Sequence, residues 1–195
     1  MSDKLAIHGG APVKTTPFGK GPKHDLAEWE AVKPLFERGA IHMTRGPEVM
    51  ALRQKFCERF GRKFAVTASS GTAALHVATG ALGIGRGDEV ITSPITDMGT
   101  IIAIIQQNAV PVFADVDPLT LMITPETVAA KLTPRTRAIL PVHLAGHACD
   151  VKGIKALVGP KGIPIIEDMA QSYLTRQGGA LCGTVGDIGC WSLNE

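Results

Sequence analysis

The feature that most constrains this sequence is an alternation, from residue 64 onward, between short apolar runs and segments with helical periodicity. The apolar runs lack the regular polar alternation of a half-exposed strand, which is typical of strands buried on both faces of a parallel sheet. We therefore predict an α/β fold with a mostly parallel sheet flanked by helices. The predicted strands are 64–69, 88–93, 110–116, 137–143, 163–168 and 188–193, and the predicted helices between them are 72–82, 98–107, 125–132 and 151–158.

The first 45 residues are expected to form an N-terminal arm, rich in Gly, Pro and Lys over 1–23, followed by one helix. Asp25 is a suitable N-cap for that helix, and Gly39 would end it. A second helix is predicted to begin at Pro47 and to end at Gly61. Residues 46–195 would then form the main domain.

Charge and cysteine content argue against several classes of protein. The 195 residues include 20 basic and 18 acidic side chains, for a formal net charge of +2, and 5% aromatic residues. Nucleic-acid binding needs a clustered basic face and aromatics for stacking, so we expect no nucleic-acid partner. The four cysteines are widely spaced without a C-x-x-C pair, so we expect reduced thiols in a cytoplasmic protein. No apolar stretch is long enough for a signal peptide or a membrane span, so we expect no membrane association.

A strand-to-helix junction at Ser69–Leu75 has the composition of an anion-binding turn. Ser70 can cap the helix, Gly71 allows a ligand close to the backbone, and Thr72 adds a hydroxyl. Free N–H groups and the helix dipole at such a point attract a phosphate. The alternative is a serine-capped helix without a ligand.

Two adjacent carboxylates, Glu167 and Asp168, end the most hydrophobic predicted strand. Burying a carboxylate is costly unless it is paired or used, and neighbours on a strand point to opposite faces. Asp168 could hold the protonated nitrogen of a heterocycle, and Gln171 could offer an amide to the same ligand. The alternative is a carboxylate that caps the following segment.

The segment 142–150 contains His143, His147 and Asp150. The two histidines have the spacing of a metal pair, but they lie in a loop and lack the glutamate of the H-E-x-x-H motif. We therefore expect no metal site. Asp150 is expected to cap the helix at 151–158, whereas His143 could line a pocket and contact a substrate.

The ordered series of motifs resembles the DegT/DnrJ/EryC1/StrS aminotransferases from about Gly46 to the last residue. The motifs that carry this resemblance are TASSGTAALHVAT, GDEVITSP, VPVFADVDP, AILPVHLAGHACD, IPIIEDMAQS and GTVGDIGCWSL. The resemblance implies the large domain of a fold type I transferase, incomplete here, that depends on pyridoxal 5'-phosphate. It also implies a homodimer that transfers an amino group, usually from glutamate, to a keto-sugar that is typically nucleotide-linked, in polysaccharide, glycan or secondary-metabolite biosynthesis.

The resemblance assigns roles to residues at matching positions. Asp168 would hold the pyridine nitrogen of the cofactor, and Gln171 would lie beside its ring hydroxyl. The phosphate would be bound by Ser70, Gly71, Thr72 and Ser192.

Two departures from the family pattern concern the cofactor. Relatives often place an aromatic residue where this chain has Asp97 and Met98. Met98 could pack on the cofactor ring, and Asp97 could cap a helix or help recognise the substrate; we favour the cap. The Schiff-base lysine of the family would fall shortly beyond Glu195, so that lysine and the C-terminal small domain are expected to lie outside this chain.

Two other functions are compatible with the sequence. Some relatives carry histidine at the lysine position and remove a sugar hydroxyl, so the full protein could be a sugar dehydratase dependent on the same cofactor. The chain could also be a non-catalytic α/β ligand-binding remnant.

Overall fold

A computed structural model describes residues 4–16, 24–39, 41–42 and 44–194. The chain divides into two compact units, Met1–Ile41 and His42–Glu195. In the first unit, part of the expected arm (1–3 and 17–23) lies outside the described residues, and the rest contains a 3-10 turn at Ala6–His8. Helix α1 (Leu26–Arg38) has Asp25 as its N-cap, and the Asp25 side chain forms a capping box with Glu28. The predicted capping role of Asp25 is thus confirmed.

The second unit alternates strands and helices. Its helices are α2 (Pro47–Phe60), α3 (Gly71–Ala81), α4 (Met98–Ile105), α5 (Pro125–Ala129) and α6 (Val151–Val158). Its strands are β1 (Glu89–Thr92), β2 (Val110–Phe113), β3 (Thr136–Leu140), β4 (Ile166–Asp168), β5 (Arg176–Gln177), β6 (Ala180–Leu181) and β7 (Ile188–Cys190). Several elements, including α4, α5 and β7, are two or three residues shorter than predicted.

The sheet is parallel in the order β2-β1-β3, and β4 pairs in parallel with β7. Two parallel bridges, Ile139 to Ile165 and Val142 to Asp168, connect β3 to β4. The predicted α/β fold with a mostly parallel sheet is confirmed. The carboxyl ends of β1, β3, β4 and β7 therefore lie along one edge, where ligand sites of such sheets form.

Helices cover both faces of this sheet, as its continuous apolar strands predict. Successive strand residues belong to different hydrophobic clusters: Val90 packs in one cluster and Ile91 in the other. The first cluster includes Leu75, Ala78, Ala103, Ile104, Val90, Leu140 and Ile166, from α3, α4 and the strands. The second includes Val128, Val151, Ile154, Val158, Ile91 and Ile139, from α5, α6 and the strands.

The predicted strand at 64–69 is wrong for this chain. Residues 64–68 form neither helix nor strand and pair with no strand among the described residues, and Phe64 and Val66 are 76% and 73% exposed. Arg53 Nε donates to the carbonyl oxygen of Ala65 at 2.6 Å. Aromatic and β-branched residues such as Phe64, Val66 and Thr67 favour a strand, but a strand also needs a hydrogen-bonded neighbour.

The antiparallel hairpin of β5 and β6 was not predicted from the sequence. Gly178 and Gly179 form its turn with φ angles of 54° and 80°. A Gly-Gly pair between two short extended segments is a known hairpin signal, and it would have revealed this element.

All four cysteines are free, as predicted. Burial raises the pKa of Cys149 and Cys190 to about 12 and that of Cys182 to about 11, so these three thiols are unreactive near neutral pH. No helix in the described parts of the chain is long and apolar enough to cross a membrane.

Candidate cofactor site

The start of α3 has the geometry of an anion seat. Ser70 is its N-cap, and the Ser70 Oγ accepts a hydrogen bond from the backbone N–H of Ala73 at 3.0 Å. Gly71 and Thr72 follow in the first turn, where backbone N–H groups have no intrahelical acceptor, and both are partly exposed. The serine-capped helix is confirmed, and phosphate binding at its open N–H groups stays a prediction.

Ser192, far away in sequence, lies against this seat. A Cβ built on Gly71 would lie 2.7 Å from Ser192 Cβ and 3.2 Å from Ser192 Oγ. The absence of a side chain at Gly71 is thus what lets the Ser192 hydroxyl approach the first turn of α3. The structure therefore brings Ser192 together with Ser70–Thr72.

The start of α4 lies beside the same seat. Asp97 is the N-cap of α4, and its Oδ1 accepts from the backbone N–H of Gly99 at 2.7 Å. A Cβ on Gly99 would overlap Thr72 Oγ1, so the two helices begin in direct contact. The expected capping role of Asp97 is confirmed. Met98 is 59% exposed on the first turn, and its packing on a cofactor ring stays a prediction.

We expect Asp97→Ala to lower the free energy of unfolding by about 1 kcal/mol, because the first turn of α4 loses its cap. Asp97→Asn should keep most of the wild-type value, because the amide oxygen can still accept from Gly99. Urea unfolding of the full-length protein measures both. Equal losses for the two variants would show that the charge matters rather than the cap.

Asp168 is the most deeply buried of the predicted cofactor ligands. It is 3% exposed; its Oδ2 accepts from Thr100 Oγ1 at 2.7 Å and its Oδ1 from the Ala170 N–H at 3.0 Å. Burial raises the pKa of Asp168, and the hydrogen bonds from Ala170 and Thr100 only partly oppose it. Within the described ranges, neither Lys nor Arg forms an ion pair with this carboxylate. A protonated heterocycle nitrogen would supply the missing cation.

Gln171 is exposed one turn beyond β4. Its Oε1 accepts from the backbone N–H of Ala145 at 3.2 Å. This contact fixes the carboxamide between the ends of β3 and β4 and leaves its NH₂ group as a donor. Its predicted contact with the cofactor ring hydroxyl stays a prediction.

His143 does not have the open position that a substrate contact requires. Its side chain is 0% exposed, its Nε2 lies 3.0 Å from Glu167 Oε2, and its Nδ1 accepts from the Cys149 N–H at 3.1 Å. Because Nδ1 accepts a hydrogen bond, Nε2 carries the ring proton and donates to Glu167. His147 is exposed, so the two histidines do not form a metal pair. The geometry therefore corrects the expected substrate role of His143 to a structural one.

The role of Glu167 could not be predicted from the sequence. As predicted for neighbours on a strand, the side chains of Glu167 and Asp168 contact different groups: Asp168 bonds to Thr100 and Ala170, whereas Glu167 bonds to His143. Besides His143, Glu167 accepts from the backbone N–H groups of Gly183, Val185 and Gly186. No sequence pattern shows that a turn so far along the chain returns to this carboxylate.

The described residues fit pyridoxal phosphate, the cofactor that the resemblance implies. The Ser70–Thr72 turn and Ser192 form a cradle that a Cβ at Gly71 would fill. Asp168 is a buried anion that has no cationic partner among the described residues. Thr100 links Asp168 to α4, whose start contacts the cradle at Thr72. An anion seat and a buried carboxylate are thus held by neighbouring elements.

Comparisons with known proteins agree with this geometry. The family model described as the DegT/DnrJ/EryC1/StrS aminotransferase family matches residues 22–195. A relative from Streptoalloteichus tenebrarius, named as an L-glutamine:3-amino-2,3-dideoxy-scyllo-inosose aminotransferase, is 40% identical over 197 residues, covering 100% of this chain and 47% of that protein. The chain thus spans about half the length of the curated relatives it matches.

Solved structures give the same result. An aminotransferase from Psychrobacter cryohalolentis is 40% identical with a TM-score of 0.85, covering 90% of this chain and 44% of that one. A GDP-4-keto-6-deoxymannose-3-dehydratase is 28% identical with a TM-score of 0.80, covering 88% and 45%. With the family match extending over most of its length, the chain belongs to the DegT/DnrJ/EryC1/StrS aminotransferase family.

Proposed function

We propose that the full protein is a pyridoxal phosphate-dependent aminotransferase that delivers an amino group to the keto group of a sugar or sugar-like ring. The observation that carries this proposal is Asp168, a buried carboxylate with a raised pKa and no cationic partner in the described ranges. Such a group is costly in a protein that does not use it. Its position next to an anion seat matches a ligand with a phosphate at one end and a basic ring nitrogen at the other.

When bound, pyridoxal phosphate supplies a conjugated ring that accepts negative charge from the carbon bearing the amino group. Asp168 holds a proton on the ring nitrogen, which keeps the ring electron-withdrawing. Ser70, Thr72 and Ser192 anchor the phosphate, and Gln171 donates an amide hydrogen bond at the ring hydroxyl. These residues would bind and orient the cofactor.

We propose two alternative pairs of amino donor and acceptor. The family resemblance supports glutamate as donor and a nucleotide-linked keto-sugar as acceptor. The name of the Streptoalloteichus relative instead contains L-glutamine and an amino-substituted cyclic ketone, which supports a ketocyclitol as the other acceptor to test. We propose a homodimer in the cytoplasm, with no nucleic-acid or membrane partner.

The test uses the full-length protein with added pyridoxal phosphate. We expect a new visible absorbance band of the bound cofactor, and release of a 2-oxo acid from L-glutamate or L-glutamine when a keto-sugar nucleotide or a ketocyclitol is present. Cofactor binding without 2-oxo acid from either donor would contradict amino transfer.

The second candidate is a sugar dehydratase that uses the same cofactor. The similarity to a solved GDP-4-keto-6-deoxymannose-3-dehydratase favours it. A dehydratase would remove a hydroxyl from the sugar, so the product would lack both that oxygen and a new amino group. Mass spectrometry of the product separates the two reactions. A protein that binds neither pyridoxal phosphate nor phosphate would instead be the ligand-binding remnant.

A further inference from the structure

The turn 183–186, which leads into β7, is held from inside the molecule by one buried side chain. Glu167 Oε1 accepts from the N–H groups of Val185 at 2.8 Å and Gly186 at 2.6 Å, and Glu167 Oε2 accepts from the N–H of Gly183 at 2.7 Å. His143 donates to the same Oε2. Four donors from two segments thus converge on one carboxylate.

The same turn is held from outside by two cations. Arg62 Nη2 donates to the carbonyl oxygens of Gly186 at 2.9 Å and Gly183 at 3.3 Å. Lys155 Nζ donates to the carbonyl oxygen of Val185 at 2.5 Å. Side chains therefore bind the N–H groups of the turn on one side and its carbonyl groups on the other.

Glu167 is ionised when it accepts the hydrogen bonds of this turn. Burial alone would raise the pKa of Glu167, but the hydrogen bonds from His143, Gly186 and Gly183 outweigh burial and leave the pKa below its usual range. The side chain is 0% exposed, and four hydrogen bonds use the acceptor capacity of a carboxylate. No acceptor site is left for a ligand, so Glu167 acts through the turn.

The turn determines where β7 begins, and β7 determines where Ser192 lies. In the parallel pairing of β4 with β7, Glu167 is in register with Gly189. The backbone N–H of Met169 donates to the carbonyl oxygen of Cys190 at 2.8 Å, at the end of β7. Ser192 follows two residues later and contacts Gly71. A shift of the turn would therefore move Ser192 relative to the start of α3.

We propose that Glu167 is a positioning residue for the phosphate seat, holding turn 183–186 so that β7 presents Ser192 to the first turn of α3. This inference rests on the proposed function, because it takes the anion at the seat to be the phosphate of pyridoxal phosphate. Asp168 points away from this network and binds the other end of the cofactor. The effect of Glu167 should therefore depend on the presence of the phosphate group.

The test is Glu167→Gln in the full-length protein. Glutamine has the same shape, but in either orientation its NH₂ group faces two N–H donors, either those of Gly183 and His143 or those of Val185 and Gly186. We expect the Kd for pyridoxal phosphate to rise about tenfold or more, as for other residues that orient direct ligands. The Kd for pyridoxal, which lacks the phosphate, should change less than about twofold, because ring contacts are kept.

Glu126→Gln is the matched control, because Glu126 is an exposed glutamate on α5. It should change neither Kd. If Glu167→Gln does not fold, Arg62→Gln is the second variant, because it removes the contacts of Arg62 with the carbonyl groups of the same turn. It should also raise the Kd for pyridoxal phosphate more than the Kd for pyridoxal.

Equal weakening of pyridoxal phosphate and pyridoxal by a folded variant would overturn the inference, as would no change in either. If the wild-type protein itself does not prefer pyridoxal phosphate over pyridoxal, the proposed function fails, and the inference fails with it.

Discussion

Asp168→Asn is expected to raise the free energy of unfolding of the cofactor-free protein by about 1 kcal/mol while lowering amino transfer by about 10²-fold or more. The stability gain arises because the variant no longer buries an anion that has no Lys or Arg partner among the described residues. Asparagine can still accept from Ala170 and can donate to the Thr100 hydroxyl, so both existing contacts persist. The activity loss arises because a neutral amide does not keep a proton on the ring nitrogen of the cofactor.

The stability gain should depend on pH in a defined direction. The folded-state pKa of Asp168 is raised, whereas the unfolded value is about 3.9. Below both values the carboxyl group is neutral in both states, and the wild type and the variant should unfold alike. As the pH rises from the unfolded pKa through the folded one, the wild type loses stability relative to the variant.

Urea unfolding of the cofactor-free full-length protein at several pH values measures this difference. Asp115→Asn is the control, because Asp115 is exposed and its carboxylate accepts from the neighbouring Val116 N–H. An asparagine oxygen can still accept this bond, so the control should leave stability and activity unchanged. A cofactor-free Asp168→Asn protein that is less stable than the wild type at neutral pH would contradict the inference that burial of the ionised Asp168 destabilises the fold.

The fold could largely be predicted from sequence because its main signal is local. A parallel sheet covered on both faces requires continuous apolar strands. Strands β1, β2, β4 and β7 fall within predicted runs, and β3 begins one residue before its predicted run. The segment 64–68 shows the limit of that reasoning. Its residues favour an extended backbone, but whether a strand forms depends on a partner elsewhere in the chain.

In the candidate site, too, residues with local interactions could be predicted from the sequence, whereas residues that contact distant segments could not. Ser70, Asp97 and Asp150 could be predicted as caps because an N-cap acts within its own first turn, and all three bond there. The surroundings of Glu167 and His143 could not be predicted, because both depend on segments distant in sequence. A histidine at a strand end can face either the ligand edge or the interior, and the backbone N–H of Cys149 holds His143 in the interior.

Gly71→Ala is expected to weaken pyridoxal phosphate binding by about 10²-fold, because a methyl group placed 2.7 Å from Ser192 Cβ must displace Ser192 from the start of α3. A measurement of the free energy of unfolding alone would not show this effect, because two opposing contributions partly cancel. Overpacking costs about 1–3 kcal/mol, but replacing glycine by alanine in a helix returns about 1 kcal/mol. The Kd for pyridoxal phosphate is therefore the sensitive measurement, and unfolding by urea confirms that the variant is folded.

Gly159→Ala is the matched control, because a Cβ there meets nothing within 4 Å and its φ of −56° suits alanine. This control should keep the wild-type Kd and gain about 0.4–1 kcal/mol of stability. The double variant Gly71→Ala, Ser192→Gly removes the clash together with the Ser192 hydroxyl. It should therefore recover stability relative to Gly71→Ala but not affinity. Wild-type affinity in Gly71→Ala would mean that the phosphate does not bind between Gly71 and Ser192.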